Sequence, residues 1–275
     1  MPRRLLAAAL AVVVAAGAGY AGRRLWIKSD DLLAPVVVTQ GADAEALAHP
    51  SLGARLAVLT GRGAAHAGAE RLVALTFDDG PYPVTTPLLL QTLRDLHVPA
   101  TFFLIGRDAE QFPALARAIL ADGNEIGDHT LTHPDLDHLD DAAARSELVD
   151  GAAALRGVAP APSELRIFRP PHGRYTLATL RVAQAAGFDT ILWSDDPGDW
   201  RAISGDALRA HVLHHATAPE IVLLHSGRVE TVASLPELVA RFRQAGYTFV
   251  TVGELLRRTT PAELNRPVRV SLGLQ

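Results

Sequence analysis

The sequence predicts an α/β fold in which a parallel sheet flanked by helices closes, or nearly closes, into a (β/α) barrel of about seven units. Three observations carry this. From Arg71 to about Arg258, short apolar runs alternate with longer stretches of helical periodicity. The clearest run, Val73-Ala74-Leu75-Thr76-Phe77, is almost wholly apolar, as a strand covered on both faces must be. Gly123, Gly187 and Gly246 each follow a helical stretch, where a C-cap belongs.

In chain order, strands are expected at Leu72–Phe77, Ala100–Ile105, Glu125–Gly127, Arg166–Phe168, Thr190–Trp193, Ile221–His225 and Tyr247–Val250. Helices are expected at Pro87–Leu96, Phe112–Asp122, Ala142–Arg156, Leu177–Ala186, Asp206–His215 and Leu235–Ala245. Leu89, Leu93 and Leu96 share a face of the first, and Leu115, Ile119 and Leu120 a face of the second. Before this region, Met1 to Arg4 is basic, Leu5 to Gly22 is uncharged, and Arg23 and Arg24 follow. That pattern reads as a secretory signal or an N-terminal membrane anchor over 1–24. Ala16-Gly17-Ala18 offers a small-residue cleavage site, and arginines at both ends leave the orientation open. Either reading places the remainder outside the cytoplasm, in the periplasm or cell envelope. Residues 25–70 read as a linker or extension, 71–258 as the barrel and 259–275 as a tail.

Composition excludes several classes. The chain has 275 residues, 26 basic and 30 acidic, for a net charge of −4, so bulk charge gives no reason to expect nucleic acid as a partner. It has no Cys, which removes disulfides, thiolate metal sites and a Cys nucleophile. A transition metal would have to be held by carboxylates and by some of the 11 His.

Five stretches with chemical potential fall just after expected strands, on one rim, where sites of parallel α/β folds form. Asp78-Asp79-Gly80-Pro81 ends the first strand in two carboxylates and a turn. Successive residues at a strand end point different ways, so one carboxylate can bind a metal while the other stays free as a base. His129 and His133 follow the third strand; in a helical turn, this spacing puts both imidazoles on one side, and Asp79 would complete a His₂Asp site with positions open for water and substrate. Phe168-Arg169-Pro170-Pro171-His172-Gly173 makes a rigid turn with an arginine able to hold a carboxylate. Trp193 to Trp200 joins carboxylates with aromatics, and Ile221 to Gly227 ends a buried strand in His225.

Together, Thr76-Phe77-Asp78-Asp79-Gly80-Pro81, His129-Thr130-Leu131-Thr132-His133, Arg169-Pro170-Pro171-His172-Gly173, Asp196-Pro197-Gly198-Asp199-Trp200 and Leu223-Leu224-His225 resemble the five ordered motifs of the polysaccharide deacetylase family, carbohydrate esterase family 4, with its NodB-type homology domain. The resemblance covers about Arg71 to Arg258 and implies a distorted (β/α) barrel of fewer than eight units. It implies a hydrolase that removes acetyl groups from an N-acetylated amino-sugar polymer, peptidoglycan or chitin-like, with one divalent metal, usually zinc. The alternatives are O-deacetylation of an acetylated polysaccharide at the same site, or a non-catalytic carbohydrate-binding barrel. By the resemblance, Asp78 is the general base, and Asp79, His129 and His133 are the metal ligands. Arg169 orients the base, and the backbone of Pro171, His172 and Gly173 contributes to an oxyanion hole. Trp200 and Leu223 wall the acetyl pocket, and His225 is the general acid, tuned by Asp199. The third motif departs from the family where an aromatic usually stands at His172: acting through its backbone, His172 changes little; stacking on sugar, it alters substrate choice; as an extra ligand, it alters the metal site. His211, His214 and His215 read as outer-surface residues of a helix, and His138 as solvated.

Overall fold

The computed structural model describes residues 70–159 and 165–259. The expected signal or anchor, most of the extension and nearly all of the tail lie outside the described residues. No helix among the described residues is long and apolar enough to cross a membrane.

The elements alternate as the periodicity requires. They are β1 (Arg71–Asp78), α1 (Thr85–Leu96), β2 (Thr101–Leu104), α2 (Gly106–Gln111), α3 (Pro113–Ala121), β3 (Glu125–Asp128), α4 (Asp141–Val158), β4 (Ile167–Phe168), α5 (Leu177–Ala185), β5 (Asp189–Thr190), α6 (Gly205–His215), β6 (Glu220–His225), α7 (Val229–Gln244), β7 (Tyr247–Phe249) and α8 (Val252–Arg258). All ladders are parallel, in the order β5-β4-β3-β2-β1-β6, with β7 also on β1. Strand β1 is the axis: β6 runs along Val73–Asp78, while its other edge takes β7 at Arg71–Val73 and β2 at Thr76–Asp78. The sheet curls until the segment after β5 reaches β6, where Ser194 N–H donates to Ile221 O at 2.9 Å and Leu223 N–H to Asp195 O at 2.9 Å. That short seam, rather than a full ladder, completes the distorted barrel.

Side-chain alternation along the strands sorts the core into two layers. Val73, Leu75 and Phe77 of β1, with Phe102, Leu104, Phe168, Val222 and Leu224, pack outward under the helices. Leu72, Ala74, Phe103, Ile167, Ile191 and Ile221 fill the barrel interior with Val250, Val252 and Leu255. The same parity sends Thr76 and Asp78 inward above Leu72 and Ala74, and His225 inward above Ile221 and Leu223. The interior is thus apolar at its base and polar at the C-terminal rim.

The structure differs from the sequence expectation at four elements. Strand β5 stops at Thr190, because the carbonyls of Ile191 and Leu192 accept hydrogen bonds from the Arg169 side chain instead of a neighbouring strand. Helix α7 begins at Val229, a turn and a half before the expected Leu235. Its inward face starts with the buried polar residues Thr231 and Ser234, so the apolar pattern is silent there. Helix α2 is an added short helix whose polar sequence carries no apolar stripe; its first N–H groups, of Gly106 and Arg107, bond Thr130 O and Leu131 O. Helix α8, capped by Thr251 Oγ1 on Glu254 N–H at 3.2 Å, closes the domain where the sequence suggested only an end.

Helix α4 lies tight on the loop that leaves β3 because it carries Gly151 at the contact. A Cβ there would sit 2.7 Å from both Asp128 Oδ1 and the carbonyl carbon of Thr130, and 2.8 Å from Leu131 N. Backbone cannot yield as a side chain would. Gly151→Ala should therefore lose about 1–3 kcal/mol despite its better helix propensity. Urea titration of the two proteins checks this; equal midpoints and slopes would refute the contact.

Candidate active site

Every stretch singled out in the sequence reaches the C-terminal rim of the barrel. Asp78 is the last residue of β1 and is 3% exposed. Asp79 turns sharply with φ 68°, a conformation aspartate tolerates better than most side chains, and Gly80 follows at φ 71°. Ser226 fastens this turn by donating to Asp78 O and Asp79 O, both at 3.0 Å. The turn gives the two carboxylates different neighbours: Asp79 Oδ1 lies 3.4 Å from His133 Nε2 and 3.8 Å from His129 Nε2, while Asp78 puts Oδ1 on Arg169 and Oδ2 3.6 Å from His129 Nε2.

His129 and His133 do meet, with ring centroids 4.8 Å apart, but not by a helical turn. The segment between them is an irregular loop, with Thr130 at φ 70° and His133 at φ 62°, held by His133 N–H donating to Thr130 Oγ1 at 3.0 Å. Buried His129 has its Nδ1 2.8 Å from Arg169 O. A carbonyl only accepts, so Nδ1 carries the proton and Nε2 faces the Asp78 and Asp79 carboxylates with a lone pair. Burial pushes the His129 imidazole down to about 3, against the pull of Asp79, so it stays neutral. Burial also lowers His133.

These donors fit a divalent ion. Ligand atoms about 2.0–2.1 Å from a tetrahedral zinc lie about 3.3 Å from one another. The Asp79–His133 separation is already near that value, and Asp79, His129 and His133 form a set with all ligand atoms within 4.8 Å. The His129 Nδ1–H to carbonyl bond is also the outer-sphere support that ligating histidines use.

Arg169 is fully buried and reaches across the mouth. Its Nη1 donates to Asp78 Oδ1 at 2.6 Å and to Thr76 Oγ1 at 2.8 Å, its Nη2 to Leu192 O at 2.8 Å, and its Nε to Ile191 O at 3.3 Å. The guanidinium also stacks 4.0 Å from the Phe103 ring. Burial raises the Asp78 carboxyl above its ordinary value, and Arg169 holds it back.

On the neighbouring strand, His225 ends β6 as the register partner of Asp78 on β1. Asp199 accepts from His225 Nδ1 at 2.7 Å through Oδ1, and through Oδ2 from His225 N–H at 2.8 Å and Thr231 Oγ1 at 2.7 Å. Burial disfavours a charged His225, but the hydrogen bond and charge of Asp199, with Asp78 and Asp79 beyond, push it up to about 9. The third-motif turn leaves one donor: Pro171 has no N–H, and Gly173 N–H is spent on Pro170 O at 3.0 Å, so the His172 amide, at φ 54°, is the remaining group. The His172 side chain is engaged elsewhere, with Nδ1 2.7 Å from Asp135 Oδ1 and its ring edge-on to His133 at 4.6 Å. Leu223 is buried, while Trp200 is half exposed beside a cleft of about 550 Å³ that runs along Asp79 and His225.

The sequence reading missed Tyr82, Val84 and Arg228, which line that cleft, and Thr231 and Ser226, which brace Asp199 and the turn after β1. Tyr82 and Val84 directly follow the Asp-Asp-Gly-Pro turn, and that adjacency was the available signal. Outer-surface placement also fails for His211, which lies 3.0 Å from buried Asp195, while His214 is exposed as expected. His138 is not simply solvated: its Nδ1 lies 3.6 Å from Asp135 Oδ2.

The pairing of Arg169 with Asp78 gives a stability test. Arg169→Met would keep most of the volume but strand a buried carboxylate and two carbonyls, at a cost of about 3–5 kcal/mol. The loss should shrink as pH falls, because protonating Asp78 removes the uncompensated charge. Urea titrations at two pH values measure it, and a pH-independent loss would place the cost in packing alone.

The chain is similar to known proteins. The family model for polysaccharide deacetylase matches residues 65–191. A peptidoglycan-N-acetylglucosamine deacetylase of Bacillus cereus is 39% identical over 193 residues, covering 68% of this chain and 89% of that protein. A chitooligosaccharide deacetylase of Bradyrhizobium is 36% identical over 191 residues, covering 64% of this chain and 87% of that protein. The structure of the peptidoglycan deacetylase PdaC from Bacillus subtilis superimposes with a TM-score of 0.63 at 28% identity, over 69% of this chain and 91% of that one. At this identity and coverage, the chain belongs to the polysaccharide deacetylase family.

Proposed function

We propose that this protein is a metal-dependent N-deacetylase of an N-acetylglucosamine polymer, peptidoglycan or a chitin-like chain, that works outside the cytoplasm. The observation that carries the reading is the register of β1 and β6, which sets Asp78 opposite His225 on neighbouring strands about 4.8 Å apart. A carboxylate and an imidazole held charged by Asp199 then stand side by side at the mouth, beside a His₂Asp set. Amide hydrolysis needs that combination, because water is a poor nucleophile and an amine a poor leaving group.

In this reading Asp79, His129 and His133 hold one divalent ion, zinc by donor type. When bound, the ion supplies a Lewis acid that polarises the acetyl carbonyl and acidifies the attacking water. Asp78, whose Oδ1 is held by Arg169, takes the proton from that water. Arg169 fixes the orientation of Asp78 and, being always charged, keeps it an acceptor. The His172 N–H is the backbone donor for the developing oxyanion. His225 gives its Nε2 proton to the departing amine; Asp199 holds its Nδ1–H, and Thr231 fixes Asp199. Trp200, with Tyr82 and Val84 across the cleft, offers a face for a sugar ring, and Leu223 backs the acetyl methyl. His172 Nδ1 is committed to Asp135, which favours the backbone role over that of an extra ligand. The domain division proposed for the chain is a signal or anchor over 1–24, an extension over 25–70, the catalytic barrel over 71–258 and a tail over 259–275.

Asp78→Asn should keep the triad's ion yet lose turnover by about 10²–10⁴-fold, whereas His133→Ala should lose ion and activity together. His225→Ala should keep the ion and hurt amide hydrolysis far more than aryl acetate hydrolysis, because a phenoxide leaves with little protonation. The wild-type kcat/KM should fall on the basic side as His225 loses its proton. An ion at Asp79 offsets part of the carboxylate field that raises His225, so this limb should lie between its ordinary 6.5 and about 9, and vanish in His225→Ala. Metal analysis with acetate release from N-acetylglucosamine oligomers and an aryl acetate checks the scheme; loss of ion in Asp78→Asn, or intact amide turnover in His225→Ala, would reassign these residues. As for location, a reporter fused after residue 70 should be active only beyond the cytoplasmic membrane, and cytoplasmic activity alone would refute export.

A further inference from the structure

The seam that closes the barrel carries a second set of metal-type donors that the proposed reaction does not use. Asp195 sits on that seam, where its carbonyl accepts from Leu223 N–H at 2.9 Å, and its residue is 4% exposed. Its Oδ1 lies 3.0 Å from His211 Nε2. Its Oδ2 is buried and has no hydrogen-bond partner. His211 and His215 stand one turn apart on one face of α6, with ring centroids 4.3 Å apart. His215 Nδ1 lies 2.9 Å from His211 O; since a carbonyl only accepts, Nδ1 carries the proton and Nε2 the lone pair. One ligand atom from each of the three residues lies within 4.8 Å of the others.

A plain ion pair between Asp195 and a protonated His211 accounts for only part of this. It satisfies one carboxylate oxygen and leaves Oδ2 buried with no hydrogen bond, even with His215 close enough to act on the carboxylate through its charge. A cation accounts for all three residues at once. The two imidazoles four apart on a helix and a carboxylate from a separate segment form a common zinc arrangement. The Asp195–His211 separation is close to the ~3.3 Å expected between ligands of a tetrahedral ion. Partly exposed His215 completes the set, with water as the fourth ligand. His211 and His215 are each only partly buried, so the site is reachable from solvent.

We infer that Asp195, His211 and His215 form a second divalent-metal site, of the nitrogen-and-oxygen type that takes zinc, cobalt or nickel in preference to magnesium or calcium. Its place in the fold makes it structural. The ion clamps α6 to the seam, and the segment leaving that seam is the one that carries Asp199 to His225. The assignment rests on residues separate from the rim triad and stands or falls independently of it.

The test is metal stoichiometry. Wild type, His133→Ala, Asp195→Asn and the double variant His211→Ala/His215→Ala are dialysed against excess zinc, then against metal-free buffer, and their zinc content per chain is measured, with circular dichroism to confirm folding. The expected result is two ions in wild type and one in each of the other three. In His133→Ala, the remaining ion should be the one removed by adding Asp195→Asn. Added zinc should also raise the melting temperature of His133→Ala, but not that of the combined variant. One ion in wild type with one retained in Asp195→Asn overturns the second site while leaving the rim reading intact. Loss in Asp195→Asn with no loss in His133→Ala does the reverse. Should the double variant not fold, the near-isosteric Asp195→Asn decides alone.

Discussion

The rest of the structure depends on the burial of one guanidinium. Arg169 cannot give up its charge, so the barrel mouth must supply partners for it on every side. Those partners are Asp78 and Thr76 from β1 and the carbonyls of Ile191 and Leu192 after β5, with the Phe103 ring of β2 against its face. Its own carbonyl then fixes the tautomer of His129. One side chain thus ties four of the strands and sets the orientation of two of the residues assigned to chemistry. A buried pair of this kind need not stabilise the fold relative to an apolar one. What it supplies is a single geometry, since any displacement of Asp78 leaves a charge unpaired in the interior.

The second constraint is side-chain parity. A parallel strand places every second residue inside the barrel, so the inward column of β1 reads Leu72, Ala74, Thr76, Asp78, and that of β6 reads Ile221, Leu223, His225. Both columns pass from apolar to ionisable at the same height, which is what makes Asp78 and His225 neighbours. The apolar base excludes water from below and moves the titrating groups in useful directions. Burial keeps His129 neutral, as a ligand must be. For His225 the hydrogen bond and charge of Asp199 overcome the same burial and keep the proton on. Two histidines under one roof are driven opposite ways by whether their nearest partner is a carbonyl or a carboxylate.

This explains how much of the site was legible in the sequence. Strand ends are marked by apolar runs, and a rim site draws its residues from strand ends, so Asp78, Asp79, His129, Arg169 and His225 could each be found one-dimensionally. What escaped is what the period does not encode. The pairing of His129 with His133 runs through positive φ at Thr130 and His133, where a helical turn was the natural reading of their spacing. The early start of α7 is hidden because its inward residues are Thr231 and Ser234, buried through hydrogen bonds rather than apolarity. The shortness of β5 is decided by Arg169, which lies 22 and 23 residues upstream of the carbonyls it holds. The contact of His211 with Asp195 exists only because the sheet curls shut, and no local pattern reports closure.

The irregular segments of the rim are nevertheless held firmly, and the reason lies in side chain to backbone hydrogen bonding. Loops that carry function lack ladders, so their amides must find other acceptors. Here they find the site's own polar residues. Thr130 Oγ1 takes His133 N–H, Asp196 Oδ1 takes Gly198 N–H, and Asp199 Oδ2 takes His225 N–H, while Ser226 Oγ donates to the carbonyls of Asp78 and Asp79. Asp199 shows the economy most clearly: with two oxygens it caps the end of β6, holds the His225 ring and receives Thr231 from the first turn of α7. An apolar loop of the same length could occupy the same path but would leave those amides unpaired at the edge of a dry interior. The polar residues of the rim therefore position the backbone as well as the substrate, and the site and the closure of the barrel are built from the same hydrogen bonds.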